Sequence, residues 1–137
     1  GSTRSTTVQT RVNQGFFRSA VLSAYNRKCC VTGLEAPSLL IASHIKPWKD
    51  SDPETERTNP CNGLSLNALH HEAFDEGIFT IDTDYRILVS KTAKEHYTSE
   101  VFYDFFGKYE GRTITLPERF LPSKEMIAYH NSKLKDF

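Results

Sequence analysis

Apolar positions along the chain change their spacing several times, and each change marks an element. Phe17, Val21, Ala24 and Tyr25 fall at i, i+4, i+7 and i+8. That spacing predicts an amphipathic helix from Asn13 to about Lys28. Residues 1–12 are polar and begin with Gly1-Ser2. They read as a frayed linker or tag remnant, leaving 13–137 as the domain. Cys30-Val31-Thr32-Gly33 reads as a short strand or knuckle closed by a glycine turn. Leu39-Leu40-Ile41-Ala42 is an unbroken apolar run, expected as a buried strand that delivers Ser43 and His44 at its end. Pro47 turns the chain away and holds Lys46 extended.

Residues 49–61 carry no periodicity and are expected as a loop, long enough to have a role beyond connection. Gly63-Leu64-Ser65-Leu66 is a second short strand. Asn67 is placed to cap a helix whose inner side holds Leu69, Ala73 and Phe74, and Gly77 to end it. Ile78–Asp82 and Tyr85–Val89 alternate about Thr83-Asp84, a hairpin. Val101, Phe102, Phe105 and Phe106 suggest an aromatic-rich helix or packing segment, Arg112–Leu116 a strand, and Pro122-Ser123 the start of a last helix reaching about Lys135. The sum is an α+β domain with short antiparallel strands and helices outside them.

At 137 residues the chain is long enough for one domain with its own core. No apolar run approaches the roughly 20 residues a bilayer span needs. Three cysteines, two of them adjacent (Cys29, Cys30), suit a reducing compartment, so the cytoplasm is expected. Lys and Arg match Asp and Glu at 17 each, yet the distribution is uneven. Residues 1–49 hold seven bases and one acid, residues 50–85 one base and nine acids. Arg11, Arg18, Arg27, Lys28, Lys46 and Lys49 are therefore the residues expected to face a polyanion, and the acidic middle the part to hold a cation. A neutral total makes a weak general binder of nucleic acid.

Three of the five histidines lie between Leu39 and Ile81. His44 ends the first strand. His71 and Asp75 are four apart on the predicted helix, so they share a face and can serve one cation. A neutral imidazole and a carboxylate, with the other positions open, suit a catalytic divalent ion better than a closed structural zinc site.

Ala42-Ser43-His44-Ile45-Lys46-Pro47, Asn62-Gly63-Leu64-Ser65-Leu66 and His70-His71-Glu72-Ala73-Phe74-Asp75-Glu76-Gly77 together resemble the HNH endonucleases. The branch most alike is the C-terminal cleavage domain of bacterial restriction-type enzymes. His71 stands nine residues after Asn62, the usual separation in that family. Gln14-Gly15-Phe16-Phe17-Arg18, Cys30-Val31-Thr32-Gly33 and the closing Leu121-Pro122 helix with His130 agree as flanks.

The resemblance implies a ββα-metal fold and a metal-dependent DNA endonuclease. His44 would be the general base, Asn62 the residue orienting its loop, His71 a metal ligand and Asp75 a second. Ser43 stands where the family often has Asp or another ligand, and is the first strand's candidate for the metal. The implied cofactor is one divalent ion, Mg2+ or else Mn2+, Ni2+ or Zn2+. Many members also hold a structural zinc on two Cys-x-x-Cys pairs. Here Gly33 follows Cys30 at the fourth position, and Asn67 and His70 occupy the second pair, so apolar packing is expected instead of zinc. DNA is the implied partner, with an N-terminal DNA-reading domain supplying the target, a possible homodimer for double-strand cleavage, and no membrane. Two other classes compete. A catalytically inactive DNA-binding ββα module would leave the His44–Asn62–His71 set idle. A thiol hydrolase on Cys29 or Cys30 lacks an oxyanion motif.

Overall fold

The computed structural model describes residues 2–137, with side chains from Val8 onward. Helix α1 spans Ser2–Ala24, so it runs back through the segment expected as linker. No proline interrupts residues 2–24, and a helix propagates at little cost once nucleated. Burial nevertheless begins only at Phe17, followed by Val21, Leu22 and Ala24. The helix stops four residues before Lys28, because Asn26 and Arg27 both take positive φ.

Strands β1 (Leu40–His44) and β2 (Gly63–Asn67) pair antiparallel, with Leu40 opposite Asn67 and His44 opposite Gly63. Helix α2 (Ala68–Asp75) follows β2 directly, capped by the Asn67 side chain, which accepts from the His70 backbone N–H at 3.0 Å. Both α1 and α2 pack on this ribbon. Every residue of β2 is buried in consequence. Gly63 is required where α1 crosses: a Cβ there would lie 2.5 Å from Val21 Cγ2 and 2.9 Å from Phe17 Cζ. Gly77, at φ +76°, ends α2 with the Ile78 N–H bonded to the Ala73 carbonyl at 2.9 Å.

The inner side of α2 differs from expectation at one place. Leu69 is half exposed, while His70 is buried with Ala73 and Phe74. His70 Nε2 donates to the Phe105 carbonyl at 2.7 Å, and its Nδ1 lies 3.1 Å from Asn67 Nδ2. That amide also approaches Cys29 Sγ at 3.5 Å and Thr32 Oγ1 at 3.4 Å. The expected apolar replacement for a zinc knuckle is thus corrected. Cys29, Thr32, Asn67 and His70 form a hydrogen-bonded link, and the facing pair is Cys29 and Thr32 rather than Cys30 and Gly33. Residues 29–33 form a turn, not a strand.

Strands β3 (Phe79–Ile81) and β4 (Ile87–Val89) form the second hairpin. Helix α3 (Lys91–His96), unforeseen in the periodicity, is capped by Ser90, which Asp136 grips from the far end of the chain. Helix α4 spans Glu100–Phe105. Arg112–Leu116 supplies only a single bridge, Arg86 to Thr113, instead of a strand. Helix α5 (Lys124–Ser132) closes the domain, Thr80 Oγ1 donating to Asn131 Oδ1 at 2.6 Å and Asn131 Nδ2 to the Ile81 carbonyl at 2.9 Å. No described helix is long and apolar enough to cross a membrane. The fold is α+β.

Candidate active site

Successive residues of a strand point to opposite faces, and this decides where the end of β1 sends its side chains. Ser43 faces α2, where its Oγ lies 2.9 Å from His71 Nδ1. His44 faces α1, stacking on Phe17 with centroids 4.3 Å apart and planes 17° off parallel. The other end of the His44 ring is held by the loop: Nε2 lies 2.8 Å from the Arg57 carbonyl. A carbonyl only accepts, so Nε2 carries the proton and Nδ1 keeps its lone pair. Burial lowers the His44 pKa below the usual histidine value.

Asn62 is wholly buried and ties the loop to the strand end. Its Oδ1 accepts from the Lys46 N–H at 2.8 Å. Its Nδ2 reaches the carbonyls of Lys46 and Glu56, each at 3.2 Å, and Ser51 Oγ at 3.3 Å. The Asn62 carbonyl takes the Ile45 N–H at 3.0 Å. From the opposite side His130 Nδ1 donates to the Ile45 carbonyl at 3.0 Å, its ring stacked on Phe74 at 4.0 Å. The backbone just after His44 is thus gripped from both sides.

His71 Nε2 and Asp75 Oδ2 are 3.5 Å apart. With His44, Pro47, Trp48 and His130 they line a cavity of about 400 Å³. Burial raises the Asp75 pKa, and Glu72 and Glu76 add to that against the opposing pull of His71. A cation would relieve this crowding. The imidazole–carboxylate pair therefore fits a divalent ion with open positions. Among the described residues no cluster of three His, Cys, Asp or Glu side chains is arranged to close such a site.

The other expected residues are placed as follows. Ser43 does not join the pair: it is wholly buried against the ring edge opposite His71 Nε2 and outside the cavity lining. Lys46 is paired with Glu56 at 2.8 Å, Lys28 with Glu35 at 3.5 Å, and Arg18 donates to the Leu40 and Pro37 carbonyls at 2.6 and 3.1 Å. Arg11, Arg27 and Lys49 are exposed. Cys29 and Cys30 are buried in the core, and burial pushes the Cys30 thiol well up, which suits packing and not a nucleophile. Sequence reasoning missed Phe17 as the surface under His44 and Arg57 as its carbonyl partner. The second left no signal in the sequence, because the partner is a main-chain carbonyl that any residue would carry. A larger groove of about 720 Å³ between Leu34, Leu39, Leu69 and Phe105 holds none of these histidines.

Comparison with known proteins bears on the same residues. No curated protein matches the chain in sequence. Among solved structures, a chain titled "Modification dependent TagI restriction endonuclease" superposes with a TM-score of 0.59 at 21% identity, over 87% of this chain and 37% of that one. At that identity the likeness is one of fold, and this chain spans little more than a third of the other's length. Residues 29–82 match the HNH endonuclease family, a stretch that contains His44, Asn62, His71 and Asp75. On that match, with the fold agreeing, the chain is similar to the HNH endonucleases.

Proposed function

We propose that the chain is the cleavage module of a restriction-type DNA endonuclease, with His44 as general base and one divalent cation held by His71 and Asp75. The observation carrying this is the Nε2–H bond from His44 to the Arg57 carbonyl. It leaves Nδ1 of a neutral ring with its lone pair, on a residue that lines the same cavity as His71 and Asp75. Nδ1 takes a proton from the attacking water, and burial keeps the ring ready by lowering its pKa. Phe17 and Asn62 restrain ring and backbone so that the lone pair keeps one direction.

With Ser43 Oγ accepting from Nδ1–H, His71 turns its Nε2 lone pair towards Asp75. Ser43 is thus read as a positioning residue rather than a ligand. His71 and Asp75 would hold the divalent ion, Mg2+ in this reading, which would supply positive charge against that developing on the phosphate and the leaving oxygen. Target choice, including any dependence on modified bases, belongs in this reading to a separate N-terminal DNA-reading domain, and double-strand cleavage to two copies. The zero net charge supports such a division, because this domain alone has little to hold a duplex with.

Two measurements test the reading. His44→Ala should lower metal-dependent plasmid cleavage at least about 100-fold, the usual scale of a lost general base, with an unchanged circular dichroism spectrum. Calorimetric titration with Mn2+ should show one site in the wild type and strongly weakened binding in both His71→Ala and Asp75→Ala. Full activity in a folded His44→Ala protein, or unaltered affinity in both ligand variants, refutes the assignment.

A further inference from the structure

We infer that Trp48 and Arg57 form a second contact site for DNA, gripping a nucleotide of the cut strand beside the scissile phosphodiester. The inference rests on the nuclease reading above. Trp48 is the only tryptophan of the chain, and at 41% exposure it is not a core residue. Its indole lines the cavity that holds His44, His71 and Asp75. The Arg57 guanidinium lies over that indole, 3.8 Å from the ring centroid.

Arg57 is fixed there by one nitrogen. Nε donates to the carbonyls of Trp48 and Ser51, both at 3.0 Å. Among the described residues the two terminal nitrogens have no hydrogen-bond or ion-pair partner, although the segment around them is acidic. Glu56 holds Lys46, and Asp52 accepts from Thr55, with Arg57 only the smallest of the influences that lower its pKa. An arginine whose Nε is anchored and whose outer nitrogens are unclaimed offers a planar pair of donors suited to a phosphate. The same residue's carbonyl holds the base, so the guanidinium and His44 keep a fixed relation.

An exposed indole beside such a donor provides a stacking surface for a base or sugar face, a contact that tolerates any sequence. The alternative is a staple: the cation–π pair only stiffens the loop. A staple uses the ring and Nε but has no need of exposed indole at the cavity or of outer nitrogens without partners.

The single tryptophan makes the test direct. In chelator, where the nuclease reading allows no cutting, unlabelled duplex should quench the emission of the 137-residue chain saturably, at the same midpoint as anisotropy of a labelled duplex. Trp48→Leu should weaken binding roughly 5- to 150-fold, the range for one lost base stack. Arg57→Gln, which retains the backbone carbonyl, should reduce the slope of log affinity against log salt by about 0.9, one phosphate contact. Binding with unchanged emission, or an unaltered salt slope in a folded Arg57→Gln protein, overturns the site while leaving the nuclease intact. Failure of any duplex to bind overturns the site, and metal-dependent plasmid cleavage by the same protein decides whether the nuclease reading falls with it.

Discussion

At the scale of single residues, the chemistry depends on which nitrogen of each histidine is occupied. His44 gives Nε2 to a carbonyl, His130 gives Nδ1 to another, and His70 gives Nε2 to a third. Each bond selects a tautomer, and burial lowers the pKa of all three rings. For His44 the consequence is measurable. A base must be unprotonated, and its folded pKa lies below the ordinary value of about 6.5. Cleavage at saturating metal should therefore rise with pH through a midpoint below about 6.5 and stay flat from there to about pH 8. Initial rates at constant ionic strength check this. An acid limb centred above pH 7 would sink the assignment of an uncharged, buried base. The same scale explains what remained hidden in the sequence. A backbone carbonyl has no residue identity, so nothing in Arg57 as a letter announces that its main chain holds the base.

At the scale of elements, the strand–loop–strand–helix order was legible because short-range signals agreed. An apolar run ended at His44, Asn67 capped α2, and Gly77 closed it. The i, i+4 spacing of His71 and Asp75 did bring their polar atoms together. Long-range packing was less readable. Leu69 yielded its inner place to His70 because Asn67 and the Phe105 carbonyl satisfy that ring inside the protein, a partnership across 35 residues that periodicity does not register. The strand expected at Arg112–Leu116 failed for a related reason: its backbone bonds go to several neighbours, Thr115 N–H to the Cys30 carbonyl and Ile114 N–H to Tyr85. The crossing of α1 over β2 yields a prediction. Gly63→Ala should destabilise the domain by about 1–3 kcal/mol, because Val21 and Phe17 must both give way. Cleavage should fall with it, since Phe17 also supports His44. Gly15→Ala, in the same helix with nothing within 4 Å of the added carbon, should instead stabilise by about 0.5–1 kcal/mol. Thermal unfolding of the two variants compares them directly, and equal effects would mean that α1 does not press on β2 as described.

At the scale of the whole molecule, the charge count sets how tightly DNA is held. Seventeen bases and seventeen acids cancel, but pairing inside the fold reduces the useful bases further. Of the six expected to face phosphate, Lys46 and Lys28 are taken by Glu56 and Glu35, and Arg18 spends its guanidinium on two carbonyls that fasten α1 to the start of β1. Arg11, Arg27 and Lys49 remain exposed, and Arg57 joins them on the inference above. Each phosphate neutralised contributes about 0.9 to the fall of log affinity with log salt. If these four alone meet phosphate, the slope is roughly −3.6, and smaller if the four do not lie along one duplex. Binding by the 137-residue chain should accordingly be weak, similar on unrelated sequences, and shallow in its salt dependence. Anisotropy titrations on several duplexes at three salt concentrations measure all of this at once. A slope much steeper than −4 would mean that Lys46, Lys28 or Arg18 leaves its intramolecular partner or that bases after Arg57 also meet the duplex, and a strong preference for one sequence would mean that the domain finds its target unaided.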